Sequence, residues 1–144
     1  MDAIRKKDTV TLQSELKSSK SIEQFVEENQ AEFNTMDVPA YLNEMLKKYN
    51  LEKSDIAKRG GFAGQYPYQI FNGKKKASRE KMIQIAFGFP LTLEEAQCLL
   101  RLGECAELYI RDSRDAFIMF ALEKQYTLQQ LNELLHKNGK KIIE

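Results

Sequence analysis

Tryptophan is absent from this 144-residue chain, histidine occurs once, and cysteine and proline occur only two and three times. Cys98, Cys105 and His136 are too few for a zinc cluster of the usual spacing or for a disulfide framework. No metal and no cofactor is therefore expected, and both thiols are read as reduced. No stretch approaches the roughly 20 apolar residues of a membrane span, and the opening MDAIRKKD lacks the apolar core of a signal peptide. The expectation is a cytoplasmic protein with no membrane association. A glycine-rich phosphate loop, a nucleophile elbow and a catalytic carboxylate pair are also missing, so the chain is not read as an enzyme. Asp112 and Asp115 alternate with Arg111 and Arg114 at a helix start, where such charges cap and pair.

What the chain does have is a 42% hydrophobic composition, enough for one core preceded by an N-terminal extension. The formal net charge of +1 conceals an uneven distribution. Residues 1–36 carry five Lys/Arg against seven Asp/Glu, residues 37–90 ten against five, and residues 91–144 seven against nine. A local positive field in a neutral chain suits a protein that meets nucleic acid with one face only.

The periodicity is helical throughout, with no convincing alternation of period two. Residues 1–20 are polar and predicted to be disordered or weakly helical. Ser21 and Gln24 are spaced as a capping box ahead of an apolar stripe of Ile22, Phe25, Val26 and Phe33. Asp37 and Pro39 mark the next start, with Leu42, Met45, Leu46 and Tyr49 facing inward. Ser78 opens a helix that stops near Gly88 and Pro90. The expected division is an extension over 1–36, a DNA-binding domain over 37–104 and a helical hairpin over 105–144.

Within the basic third lies KSDIAKRGGFAGQYPYQIFNG, from Lys53 to Gly73, spaced as two short helices around a glycine turn. Small Ala57 leaves room for a close crossing, Gly60 and Gly61 stop the first helix, and Phe62 anchors the turn. Pro67 and Ile70 share an inner face, which leaves Gln65, Tyr68, Gln69 and Asn72 directed elsewhere. Tyr66 is read as a packing residue. Amides suit adenine edges and Lys74, Lys75 and Lys76 suit phosphates, so the pattern points to a major-groove reader. If the second helix began at Ala63, the Pro67 ring would press on the Ala63 carbonyl at a cost of about 3 kcal/mol. A start near Gln65 removes the conflict and places Gly64 in a widened turn.

An internal repeat follows. Ser78 to Leu100 aligns without gaps on Ser113 to Leu135 at an offset of 35. The alignment matches Ser78 with Ser113, Arg79 with Arg114, Ile83 with Ile118, Ala86 with Ala121, Thr92 with Thr127 and Leu93 with Leu128. Each copy is predicted to be a hairpin whose second helix opens on a capping box, Thr92 to Glu95 and Thr127 to Gln130. The run AFIMFAL, from Ala116 to Leu122, is apolar all round and must be enclosed, either as a core helix under residues 21–49 and 127–138 or in part as a dimer face.

From Asp37 to about Leu102 the order of five helices, with Ile56, Ala57, Gly61 and Ile70 in place, resembles the Cro-like (XRE) phage-repressor helix-turn-helix family. LYIRDSRDAFIMFAL, from Leu108 to Leu122, is similar to an extension that accompanies this domain in a group of bacterial XRE-type proteins. The resemblance implies an all-α, usually dimeric transcription regulator that binds double-stranded DNA. It places the recognition helix over Ala63 to Asn72, with Gln65, Tyr68, Gln69 and Asn72 facing bases. Lys53, Ser54, Lys74, Lys75, Lys76 and Arg79 would meet phosphates. A second reading keeps the fold but makes it an adaptor that binds a protein partner through the C-terminal hairpin or the N-terminal helix.

Overall fold

The computed structural model describes residues 7–30 and 36–144, which are helical with no strand among them. The chain divides into two compact units, Met1–Met36 and Asp37–Glu144.

In the first unit, α1 (Thr9–Ser18) starts where the Asp8 carboxylate accepts from Thr11 N at 2.7 Å, and it buries no residue. α2 (Ile22–Glu28) is capped by Ser21, which accepts from Gln24 N. The Gln24 side chain bonds Glu28 at 2.9 Å, so only half of the predicted capping box forms. Phe25 is buried while Ile22 and Val26 are exposed, and Phe33 lies outside the described residues. Lys7 Nζ ties the two helices by bonding Glu15 at 2.8 Å and the buried Asn29 at 2.7 Å.

The second unit opens with α3 (Val38–Tyr49). Asp37 accepts from Ala40 N, Pro39 sits in the first turn where no N–H is needed, and Asn50 ends the helix in the left-handed region at φ 52°. Leu42 and Met45 face the core as expected, as does Tyr41, whereas Leu46 and Tyr49 are half-buried. α4 (Lys53–Arg59), α5 (Tyr66–Phe71), α6 (Arg79–Gly88) and α7 (Leu93–Leu102) follow. α3 packs on α5 and α7, and α4 packs on α5 and α6.

A close crossing falls at Gly88. A Cβ on Gly88 would stand 2.7 Å from Ile56 Cγ2 and 2.8 Å from Ile56 O. Every residue from Met82 to Gly88 is buried, because α6 has partners on all sides.

Glu95 locks α3 to α7. Its carboxylate accepts from Thr92 N at 2.9 Å, completing the capping box, and also from the Tyr49 hydroxyl and the Lys48 ammonium. Burial pushes the Glu95 carboxyl up, but the Lys48, Thr92 and Tyr49 donors outweigh it and its pKa falls below the ordinary value. Burial and the adjacent carboxylate raise the Tyr49 phenol.

The second hairpin comprises α8 (Ser113–Glu123) and α9 (Leu128–Lys137). It repeats the first down to its hydrogen bonds, and the repeat runs past the leucines into the segment after each hairpin. Arg79 Nε donates to Ala106 O at 2.8 Å, and Arg114 Nε donates to Lys141 O at 2.9 Å. The Gln97 amide exchanges two bonds with the Leu108 backbone, and Asn132 does the same with Ile143. The two clasped residues, Leu108 and Ile143, are both buried.

The hairpins also meet reciprocally. Arg79 pairs with Asp115 at 2.7 Å and Arg114 with Glu80 at 2.5 Å, while α6 packs on α9 as α7 packs on α8. Reciprocal pairing between equivalent positions is the signature of a two-fold relation, which closes on itself and does not propagate as a solenoid would. AFIMFAL is only partly enclosed by this arrangement. Ile118, Ala121 and Leu122 are buried, but Phe120 is exposed.

Candidate nucleic-acid interface

α4 and α5 are joined by residues 60–65, a turn wider than the usual three or four residues. Gly61 and Gly64 both have φ of 69°, which a side chain would resist, whereas Gly60 is needed for space. A Cβ there would stand 2.9 Å from both Ile56 O and the Phe62 ring. Gln84, a buried residue of α6 that sequence reasoning passed over, donates to Gly60 O at 2.6 Å and fixes the turn. Phe62 is half-buried and stacks on Tyr66 at 5.9 Å, with Lys81 Nζ 5.8 Å from the Phe62 ring. Lys81 is thus a cation beside the turn that the sequence pattern did not single out.

α5 begins at Tyr66 with Gln65 as its N-cap, and Pro67 falls in the first turn, where its missing N–H has no intrahelical partner to lose. The delayed start predicted from Pro67 is the one adopted. Pro67, Ile70 and Phe71 form the buried side. Gln65 and Asn72 are exposed, while Tyr68 and Gln69 are half-exposed between them.

The lysine loop is tied to the end of this helix. Gly73 turns the chain at φ 80°, and Lys74 N and Lys75 N both donate to Gln69 O, at 2.9 and 3.2 Å. Asn72 Oδ1 accepts from Lys74 N at 3.0 Å, so the amide oxygen that would face a base already serves the loop. Lys74, Lys75 and Lys76 are exposed. Lys76 lies 3.9 Å from Glu104, but both side chains are more than 80% exposed, and such a pair contributes little. Beside the loop a cleft of about 300 Å³ is lined by Val38, Pro39, Ile70 and Met82 together with Lys75 and Lys76.

Two other expectations change on meeting the geometry. Ser54 is exposed at the start of α4 and Lys53 is half-exposed, but Glu52 and Asp55 form a reciprocal cap there. A phosphate at that helix end would meet two carboxylates, and Lys53 Nζ leans 5.8 Å over the Phe71 ring. Arg79 does not join the phosphate-facing set. Its guanidinium bonds the Ala106 and Glu107 carbonyls and Asp115, which makes it a clasp between the hairpins.

Among the described residues no three His, Cys, Asp or Glu side chains gather as a metal site, and no helix is long and apolar enough to cross a membrane. No protein-family model matches the chain, and no curated protein or solved structure matches it.

Proposed function

We propose that residues 37–104 are a DNA-binding helix-turn-helix domain of the Cro-like type, and that the protein is a bacterial cytoplasmic transcription regulator acting as a homodimer on double-stranded DNA. The observation that carries this reading is a loop of three exposed lysines, the first two tied through their backbone N–H groups to Gln69 O, at the end of a helix whose outer side is polar. In this reading Gln65, Tyr68, Gln69 and Asn72 approach base edges while Lys74, Lys75 and Lys76 take phosphates. A second reading, an adaptor that binds protein, is favoured by the carboxylates Glu52 and Asp55 at the start of α4 and by the six-residue α5, which has no arginine.

Fluorescence anisotropy of the full chain on a pool of duplexes, titrated with salt, separates the two. Each phosphate contact contributes about 0.9 to the slope of log K against log salt, so the triple variant K74A/K75A/K76A should lose up to about 2.7. A folded protein that does not bind at low salt, or an unchanged slope, would overturn the DNA reading.

A further inference from the structure

Every residue of the second hairpin has a counterpart 35 positions earlier, so differences in exposure show where the two copies have different neighbours. α6 turns the face holding Lys81, Gln84, Ile85 and Gly88 toward α4 and the turn, and Ile85 is 0% exposed. The same face of α8 holds Ala116, Met119, Phe120 and Glu123, and there Phe120 is 47% exposed. Tyr126 meets the Phe120 ring edge-on at 5.8 Å and Lys124 Nζ lies 5.7 Å from it, and with both in place the side chain is still about half exposed. Phe117, half-buried, stands one turn earlier on the same side. An isolated surface leucine would need no explanation, but a phenylalanine in the position its counterpart buries completely does.

We infer that this face is where a second copy of the chain docks, α8 against α8, antiparallel about a two-fold axis passing between Phe117 and Phe120. Two observations select a second copy. α8 carries Asp112 as its N-cap and Lys124 as its C-cap, so antiparallel pairing sets each Asp112 beside the Lys124 of the other copy and opposes the helix dipoles. The aromatic pair is self-complementary too, since reversal about that axis lays Phe117 on the other copy's Phe120. Glu123 stands where the first hairpin has Gly88, so α8 lacks the glycine that lets α4 cross α6 closely, and the proposed alignment runs along the Phe117–Phe120 stripe instead. The inference gives a surface to the homodimer of the proposed function and does not depend on DNA binding.

The contact is small. α8 has eleven residues, about 16 Å of helix, so the area falls below that of a standard interface and the dissociation constant is expected at about 10–1000 μM. Sedimentation of the full chain over that range should show a concentration-dependent dimer. Phe120→Glu should weaken it at least about tenfold with an unchanged melting temperature, and Lys124→Glu should weaken it several-fold. In a background of Cys98→Ala and Cys105→Ser, a mixture of F117C and F120C proteins should form disulfide-linked heterodimers faster than either alone. A chain that stays monomeric throughout, a dimer indifferent to both surface variants, or cross-linking mainly of each cysteine variant with itself overturns the inference. Salt-dependent DNA binding by the F120E monomer would keep failure of this surface distinct from failure of the DNA reading.

Discussion

Gly88→Ala tests the packing of the turn motif directly. Within a helix, alanine is favoured over glycine by about 1 kcal/mol, so in a free helix the change would stabilise. Here the added Cβ meets Ile56 Cγ2 at 2.7 Å and Ile56 O at 2.8 Å, closer than carbon atoms of this kind come. Ile56 is fully buried and cannot swing away, and its carbonyl belongs to the α4 backbone, so α4 itself must move. Overpacking of this sort costs about 1–3 kcal/mol, and displacing a whole helix puts the cost at or above the upper end. The net expectation is a loss of about 2 kcal/mol or more, read by circular dichroism as a melting temperature lower by about 6 °C or more. Glu123→Ala, which puts the same alanine at the exposed counterpart on α8 where no neighbour crowds it, should stay within about 0.5 kcal/mol. A G88A protein that melts at or above the wild-type temperature would refute the crossing of α4 over α6 and the turn geometry built on it.

Two further variants probe the links between helices. The pKa of Glu95 is depressed in the folded state, so its contribution is fully present above the unfolded value and is lost as pH falls through the folded one. Wild type should therefore lose stability more steeply than Glu95→Gln in urea titrations below about pH 4.5, and parallel curves would refute the three-donor account. Arg114→Ala leaves two carbonyls and the Glu80 carboxylate without their donor and should cost about 1–3 kcal/mol. A double-mutant cycle with Glu80→Ala should return coupling above about 0.5 kcal/mol, and additive effects would show that the crossed pair carries no energy.

Where local chemistry decides the outcome, the sequence was a good guide. Asp37, Ser78, Thr92 and Thr127 cap the helices they were expected to start, because an N-cap needs only its own side chain and an N–H three residues on. Pro67 likewise delayed α5 through its own ring. Elements that depend on distant partners were harder to read. Arg79 resembles a phosphate ligand in a basic segment, but it bonds carbonyls 27 and 28 residues away, and carbonyls leave no letter in a sequence. For the same reason the repeat was visible in its helices and not in its clasps at Leu108 and Ile143. The close contact at Gly88 is equally invisible in the sequence, because its neighbour is fixed only by the tertiary fold. The candidate site residues are divided in the same way: the positions of Gln65 to Asn72 follow from the turn, while the Asn72 bond to the lysine loop and the carboxylate cap at α4 required coordinates.

α6 belongs to two assemblies at once, forming one wall of the turn motif and one half of the hairpin pair. A segment shared in this way couples the cooperativity of both, because neither can open without exposing the same buried run from Met82 to Gly88. The lysine loop and the exposed side of α8 therefore sit on one unfolding unit. A perturbation of either hairpin reaches the turn as a change in how often the whole of that unit opens, with no displacement of α5 required.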